Sequence, residues 1–275
     1  MTRIALFQST TGIDPAANAE KLVEAIAGAS AGGAEMLFTP EMSGLLDCDP
    51  VRAAANRRVE EEDLVLAACR EAAQRHGIWL HIGSLAVLAD GGKVANRGFV
   101  IDREGNVRAR YDKIHLFDVD LPTGESWRES NTYAPGAGVV LVNGTPVGKL
   151  GLTICYDLRF PGLFARLAEA DADLISVPAA FTVPTGRAHW HVLLRARAIE
   201  AGLFVVAAAQ VGQHEDGRET FGHSLVADPW GDVLLDMGDR PGIAFADIDL
   251  KRISEVRARI PALSHRRPIP DAVTA

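Results

Sequence analysis

Three residues of different chemistry each follow a short apolar run that predicts a β-strand: Glu41, Lys113 and Cys155. A free thiol has a pKa of about 8.5 and is mostly protonated at pH 7, so a cysteine nucleophile needs a base beside it. A desolvated glutamate can accept the thiol proton and later activate water. A lysine ammonium near both groups stabilises the thiolate and the oxyanion of a tetrahedral intermediate. The three side chains together suit acyl transfer to water.

Cys155 lies where a predicted strand runs into a sharp turn and then into a helix that opens at Pro161. A residue on such a turn projects its side chain from the sheet edge and leaves backbone N–H groups of the turn free. This placement suits a nucleophile with its oxyanion site. The alternative is that Cys155 is a small core hydrophobe, as many lone cysteines are. Cys69 lies on the apolar side of a predicted helix, and the core explains it.

The elements that must position these residues alternate between strands and helices. A strand–helix–strand unit, whose helix begins at a cap formed by Asp14, delivers Glu41 to the carboxyl end of a strand. Sites of α/β sheets usually lie at that end. One predicted hairpin delivers Lys113, and a second, with its turn at Asn143-Gly144, delivers Cys155.

The remaining pattern completes a single predicted domain. Three polar stretches are predicted as loops, and the last three strands are predicted to form a meander. No change of composition divides the chain, so we predict one domain over residues 1–275, with a mixed sheet or two packed sheets covered by helices. The loops are residues 47–56, 118–138 and 211–222, and the meander strands are 224–226, 233–235 and 243–248.

Composition argues against several classes of function. The net charge of −8 disfavours a nucleic-acid or anionic-membrane partner. The longest apolar run, residues 203–209, is too short to cross a bilayer, and the first residues do not resemble a signal peptide. The cysteines are odd in number and form no Cys-x-x-Cys pair, which suits a reduced compartment. We therefore expect a cytoplasmic protein.

The sequences around the three residues resemble the catalytic signatures of the nitrilase (carbon–nitrogen hydrolase) superfamily, in the same order, and the resemblance covers nearly the whole chain. The matching segments are Phe38-Thr39-Pro40-Glu41, Tyr111-Asp112-Lys113-Ile114-His115-Leu116-Phe117 and Ile154-Cys155-Tyr156-Asp157-Leu158-Arg159-Phe160-Pro161. The resemblance implies an α/β fold, a four-layer α-β-β-α sandwich, and hydrolysis of a non-peptide carbon–nitrogen bond through a thioester. It implies no cofactor.

The resemblance also implies a role for each site residue. Glu41 corresponds to the general base, Lys113 to the oxyanion stabiliser and Cys155 to the nucleophile, and the Tyr156 N–H would complete the oxyanion hole. A second glutamate of the family helps to position lysine and substrate. Glu129 matches it best, and Glu125 is its rival.

Later segments are most similar to the deaminated glutathione amidase branch, including Gly186-Arg187-Ala188-His189-Trp190, Ala207-Ala208-Ala209-Gln210 and the tail His265-Arg266-Arg267-Pro268. That branch implies an anionic keto-acid amide as substrate, cleaved to 2-oxoglutarate and Cys-Gly. The candidates to bind its charge are Arg187, His189 and Arg218. Arg187 is a departure, since both this branch and omega-amidase usually carry proline there.

Several alternatives stay open. Omega-amidase, which acts on 2-oxoglutaramate, shares the triad, and an N-carbamoyl amino acid amidohydrolase or a catalytically silent scaffold would share the fold. Metal catalysis is disfavoured because His189 and His191 are two apart on a predicted helix and point to different faces. A papain-like pairing of Cys155 with His223 lacks the surroundings of that family. A homodimer or higher homo-oligomer is expected, with residues 260–275 at the interface.

Overall fold

Two six-stranded sheets lie at the centre of the computed structural model, which describes residues 1–120, 124 and 126–274. Glu125, the rival second glutamate, therefore lies outside the described residues. The strands in chain order are β1 (Thr2–Gln8), β2 (Met36–Phe38), β3 (Trp79–Leu88), β4 (Val94–Ile101), β5 (Val107–Asp112), β6 (Asp118–Asp120), β7 (Ser126–Arg128), β8 (Leu141–Thr145), β9 (Gly148–Leu152), β10 (Leu174–Ser176), β11 (Phe204–Ala207), β12 (Val211–Gln213), β13 (Glu219–Phe221), β14 (Leu225–Ala227), β15 (Val233–Asp236) and β16 (Gly242–Ile248). The α-helices are α1 (Pro15–Ala31), α2 (Pro50–Asn56), α3 (Leu64–His76), α4 (Pro161–Glu169), α5 (Val183–Ala201) and α6 (Lys251–Arg259).

Both large sheets follow one plan, with parallel strands in the middle and antiparallel strands outside. The first has the order β16-β1-β2-β3-β4-β5, in which β1, β2 and β3 are parallel. The second has the order β15-β14-β11-β10-β9-β8, in which β9, β10 and β11 are parallel. Parallel neighbours need crossover connections, and α1, α3, α4 and α5 lie in those connections.

The sheets face each other and helices cover their outer faces, as the predicted α-β-β-α sandwich requires. Side chains alternate along a strand, so Ile4 of β1 joins the core between the sheets with Leu150 of β9, while Ala5 joins the core under α1 and α3. On the opposite side, Leu167 of α4 packs so closely on Gly151 that a Cβ at that glycine would lie 3.0 Å from it. Within the described residues, no helix has both the length and the apolar character that a bilayer span requires.

The predicted units that carry the site residues are present. Asp14 caps α1 by accepting a hydrogen bond from the Ala16 N–H at 2.9 Å, and β1, α1 and β2 form the first crossover. β4 and β5 form the first predicted hairpin, and β8 and β9 form the second. In that second hairpin the predicted turn is wrong. Asn143-Gly144 forms a bulge opposite Lys149, and the chain reverses at Pro146-Val147. Gly144 has φ 74°, which a bulge and a tight turn both use.

The predicted loops and the predicted meander also need correction. Residues 50–56 form α2, with Asp49 accepting hydrogen bonds from the first-turn N–H groups. Residues 118–138 contain the β6–β7 pair, and residues 211–222 contain the β12–β13 pair. Strands of three residues are too short to show an alternating pattern. β16 pairs with β1 in the first sheet rather than with β15, so the last strands do not form a meander.

Candidate active site

Glu41, Lys113 and Cys155 meet at the edges of the two facing sheets. Glu41 follows β2 and Lys113 follows β5 in the first sheet, whereas Cys155 follows β9 in the second. Their exposed fractions are 4%, 2% and 8%, so two charged side chains and a thiol are buried together. Buried charges persist in proteins when they are paired. Within this cluster Lys113 Nζ lies 3.0 Å from Glu41 Oε1.

Lys113 lies between two carboxylates. Besides Glu41, its Nζ donates to Glu129 Oε1 at 3.1 Å and Oε2 at 2.9 Å. Glu129 is held in turn by the Phe117 N–H, which donates to Oε2 at 2.6 Å. The structure therefore brings the predicted second glutamate onto the predicted lysine.

Asn96 of β4 is a member of the site that sequence reasoning missed. Its Nδ2 donates to Glu41 Oε1 at 2.9 Å and to Glu129 Oε1 at 3.1 Å, so it ties the two carboxylates together. Asn96 is 1% exposed. A polar amide inside a mostly buried strand was the available signal, because a buried amide needs buried partners.

Glu41 is held as a carboxylate. Burial opposes its ionisation. The pKa of Glu41 is nevertheless lowered, first by the charge of Lys113 and then by hydrogen bonds from the Cys155 thiol, Lys113 and Asn96. Its Oε2 accepts a further hydrogen bond from the Ala180 N–H at 3.0 Å. For Lys113, burial is outweighed by the charges of Glu129 and Glu41, and its pKa lies well above the ordinary value.

Cys155 is a neutral thiol in this site. Burial first, and then the negative charge of Glu41, raise its pKa well above the ordinary value, although Lys113 acts in the opposite direction. The thiol lies close enough to Glu41 for the two groups to shift each other's pKa, that of the thiol upward and that of the carboxyl downward. The geometry therefore suits removal of the thiol proton by Glu41 while the sulfur attacks, rather than a thiolate formed in advance.

The sharp turn predicted at Cys155 is present, and its backbone is also strained. Cys155 has φ 48°, a left-handed value that is uncommon for a residue with a Cβ, and its N–H donates to Pro178 O at 2.8 Å. The next backbone N–H, that of Tyr156, donates to no acceptor among the described residues. A backbone N–H without an acceptor beside Cys155 is a donor of the kind that an oxyanion site requires.

Asp157 connects this turn to the segment that carries Lys113. Its Oδ2 accepts from the Ile154 N–H at 2.9 Å and from the Tyr111 hydroxyl at 2.7 Å. Its Oδ1 accepts from the His115 N–H at 3.0 Å and lies 2.7 Å from His115 Nδ1. Tyr111 and His115 flank Lys113, so one buried carboxylate fixes the lysine relative to the nucleophile.

A cavity of about 250 Å³ opens above these groups. Aromatic side chains and four arginines form much of its wall. Its lining includes Glu41, Lys113, Glu129, Cys155, Phe117, Trp127, Tyr133, Tyr156, Phe181, Arg57, Arg128, Arg159 and Arg218.

Of the predicted substrate-binding residues, Arg218 lines this cavity, and Arg187 and His189 do not. Both of these are exposed on α5, where His189 Nδ1 lies 3.2 Å from an Arg159 nitrogen. The prediction that they face the substrate pocket is therefore corrected. The arginines that do line it come from two loops, a 3-10 helical turn and one short strand. Sequence spacing gave no signal for Arg57 or Arg159.

Two clusters among the described residues have ligand atoms close enough for a metal ion, within 4.8 Å of one another: His191, His223 and Asp236, and Asp47, Cys48 and Asp216. In each, the carboxylates already accept hydrogen bonds from protein donors, namely His191 and His223 in the first, Arg52 and Arg218 in the second. Neither cluster includes Glu41, Lys113 or Cys155. The absence of a catalytic metal stays a prediction.

Comparison with known proteins agrees with this architecture. The profile described as "Carbon-nitrogen hydrolase" matches residues 3–258. A protein of Yersinia enterocolitica named deaminated glutathione amidase is 38% identical over 267 residues, 96% of this chain and 92% of its own. The protein of the same name from Bos taurus is 39% identical over 271 residues, 96% of this chain and 82% of its own.

Solved structures also superpose closely on this chain. The Caenorhabditis elegans NitFhit protein superposes with a TM-score of 0.89 at 38% identity, covering 97% of this chain and 65% of that longer one. A mutant of the amidase from Nesterenkonia sp. AN1, with acrylamide added at its active site cysteine, superposes with a TM-score of 0.77 at 29% identity, covering 95% and 98%. The chain therefore belongs to the carbon–nitrogen hydrolase family. It is a hydrolase of carbon–nitrogen bonds other than peptide bonds.

Proposed function

We propose that this enzyme hydrolyses deaminated glutathione to 2-oxoglutarate and Cys-Gly through a thioester on Cys155. The observation that carries the chemistry is the buried contact of Lys113 with Glu41 and Glu129 beside the Cys155 thiol. The substrate is supported by relatives of that name at 38–39% identity. Arginines in the cavity wall suit an anionic amide.

In the first half of the reaction, Glu41 accepts the thiol proton as the Cys155 sulfur attacks the amide carbon. The C–S bond forms and the carbonyl electron pair moves to oxygen. The Tyr156 N–H and the Lys113 ammonium stabilise the resulting oxyanion. When the intermediate collapses, the C–N bond breaks, Glu41 returns the proton to the leaving nitrogen, and the acyl group stays on sulfur.

In the second half, water replaces the departed amine. Glu41 removes a proton from water as its oxygen attacks the thioester carbon, and the same oxyanion donors act again. Collapse breaks the C–S bond, and the proton held by Glu41 returns to the sulfur. Glu129 and Asn96 keep Lys113 and Glu41 in position throughout. No cofactor enters this scheme.

We also propose a cytoplasmic enzyme that acts as a homodimer or higher homo-oligomer, with residues 260–275 at the interface. All three cysteines are free, in keeping with a reducing compartment. In the tail, Ile269 and Val273 are 93% and 91% exposed, which favours burial against a partner copy. Sedimentation velocity of the full chain and of a chain ending at residue 260 tests the assembly.

The activity is tested by 2-oxoglutarate release from deaminated glutathione and, in parallel, from 2-oxoglutaramate. We expect higher kcat/KM for the longer substrate, and loss of turnover by about a thousandfold or more in Cys155→Ala, because the thioester cannot form. Cys69→Ala, on the buried face of α3, is the matched control and should retain activity. Preference for 2-oxoglutaramate would make the enzyme an omega-amidase. Turnover of neither would direct the search to N-carbamoyl amino acids and simple amides.

A further inference from the structure

Two buried N–H donors in the cavity wall lack a partner. Arg57 Nε and Trp127 Nε1 are both buried atoms, and no acceptor among the described residues lies within hydrogen-bond distance of either. A buried donor without a partner costs free energy comparable to its desolvation, so each such group calls for an explanation. Because both residues line the same cavity, a ligand bound there can supply the missing acceptors.

The charges of the wall distinguish Arg57 from Arg128 and Arg218. Arg128 is paired with Asp120 at 2.8 Å, and Arg218 is paired with Asp216 at 2.7 Å. Arg159, the fourth arginine of the wall, also forms no ion pair with a described residue, but one of its guanidinium nitrogens lies 3.2 Å from His189 Nδ1. Arg57 forms no ion pair and no side-chain hydrogen bond with any described residue. It brings a positive charge into the cavity that the wall itself does not neutralise.

Aromatic contacts hold both donors in place. The guanidinium of Arg57 lies 5.7 Å from the centre of the Tyr133 ring, and that of Arg218 lies 5.2 Å from the centre of the Trp127 ring. A guanidinium is attracted to a nearby aromatic face, and its planar fork of N–H groups can bind both oxygens of a carboxylate. The indole N–H adds a single directed donor.

We propose that Arg57 and Trp127 form a carboxylate-binding subsite that selects anionic substrates. The ligand must present acceptors only and carry a negative charge, and a carboxylate satisfies both conditions. This inference rests on the proposed function, whose substrate has two carboxylates: one in the keto-acid part and one at the glycine end. 2-Oxoglutaramate has only the keto-acid carboxylate. Comparing the two substrates therefore shows which carboxylate the subsite binds.

The subsite is tested by steady-state kinetics of Arg57→Gln with three amides: deaminated glutathione, 2-oxoglutaramate and uncharged butyramide. We expect KM to rise about 10- to 100-fold for the anionic amide whose carboxylate is bound, with kcat changed by less than about threefold. Trp127→Phe, which keeps the ring and removes the N–H, should raise the same KM by a smaller factor. Arg57→Lys, which keeps the charge, should recover part of the loss.

The matched control is Arg58→Gln, which removes the same charge from the adjacent exposed residue outside the cavity and should leave all three KM values unchanged. A rise in KM for both anionic amides assigns the subsite to the keto-acid carboxylate. A rise only for deaminated glutathione assigns it to the glycine carboxylate. An equal rise for butyramide would mean a structural role and overturn the proposal.

A binding measurement separates this proposal from the proposed function. Deaminated glutathione and 2-oxoglutarate are titrated calorimetrically into Cys155→Ala and into Cys155→Ala/Arg57→Gln. We expect the second protein to bind at least one of the two ligands about 10- to 100-fold more weakly. Equal affinities for both, or no binding of either to Cys155→Ala, would overturn the subsite. Lack of turnover of deaminated glutathione by the wild-type protein would overturn the proposed function alone.

Discussion

Asn96 adds to the interactions that keep Glu41 ionised, in which the charge of Lys113 is the larger contribution. Its amide donates to both carboxylates that flank Lys113, and hydrogen bonds to a charged carboxylate favour the charged form. The ordinary pKa of a glutamate is 4.5, and that of Glu41 lies lower because the donors around it outweigh burial. Glu41 is thus ready to accept the thiol proton at any pH above its depressed pKa. Activity that depends on this carboxylate is lost only as the pH falls through that value.

We predict that Asn96→Leu lowers kcat by about 10- to 100-fold, because each lost bond to a charged acceptor is worth about 1.5–3 kcal/mol. The pKa of Glu41 should rise, so the acid limb of the kcat/KM profile should move to higher pH. Profiles from pH 4 to 8 for both proteins measure the shift. Asn106→Ala, in the exposed β4–β5 turn, is the control. An unchanged acid limb would show that Asn96 does not tune the base.

At the scale of elements, the site depends on the joint between the strained turn after β9 and the segment after β5. Asp157 is fully buried and binds Ile154, Tyr111 and His115. A residue at positive φ persists where the surrounding structure over-determines it, and these bonds do so for Cys155. Asp157 therefore helps to hold Lys113 and Cys155 in place relative to each other.

We expect Asp157→Ala to lower the free energy of unfolding by about 3–5 kcal/mol, because it leaves several buried donors without an acceptor. Turnover should be lost as well, since the lysine is no longer fixed relative to the thiol. Urea denaturation and the amidase assay measure the two effects. Tyr111→Phe removes one donor and leaves the carboxylate its other partners, so its cost should be smaller, about 1–2 kcal/mol. Equal costs for the two variants would contradict this account.

For the whole molecule, the core between the sheets includes a buried histidine that is not part of the site. His81 of β3 is 1% exposed, its ring lies 5.7 Å from that of Phe38, and its Nδ1 has no partner among the described residues. Burial lowers its pKa from 6.5 to about 3. Between these values the unfolded chain binds a proton that the folded protein does not. The stability contributed by neutral His81 is therefore complete above pH 6.5 and is lost as the pH falls towards 3.

Between these two pKa values, His81 alone should change the free energy of unfolding by about 1.4 kcal/mol per pH unit. In His81→Phe the unfolding free energy should depend less steeply on pH by that amount between pH 6 and 4. Urea titrations at pH 7, 6, 5 and 4 give the slope for each protein. His189→Phe, at an exposed position of α5, is the matched control and should leave the slope unchanged. Parallel curves for wild type and His81→Phe would disprove the assignment.

The local sequence determined the chemistry and the elements that carry it. Glu41, Lys113 and Cys155 follow strands that can be recognised from apolar runs, hairpin patterns and a helix cap nearby in the sequence. Their placement at strand ends could therefore be predicted. The left-handed turn at Cys155 is local in the same sense. Short strands such as β12 and β13 escaped prediction because three residues give no period.

Only the tertiary structure decided which other side chains join the site. Asn96 and Asp157 bind partners distant in the sequence, and Arg57 and Trp127 reach the same cavity from distant segments. These arrangements exist only in the folded chain. Arg187 and His189 lie in a segment that resembles the family, although Arg187 itself departs from it, and both are exposed to solvent on α5. The pairing of β16 with β1, from opposite ends of the chain, also depends on the whole fold. Spacing along the chain predicts the neighbours of a residue, whereas packing between distant elements selects its partners.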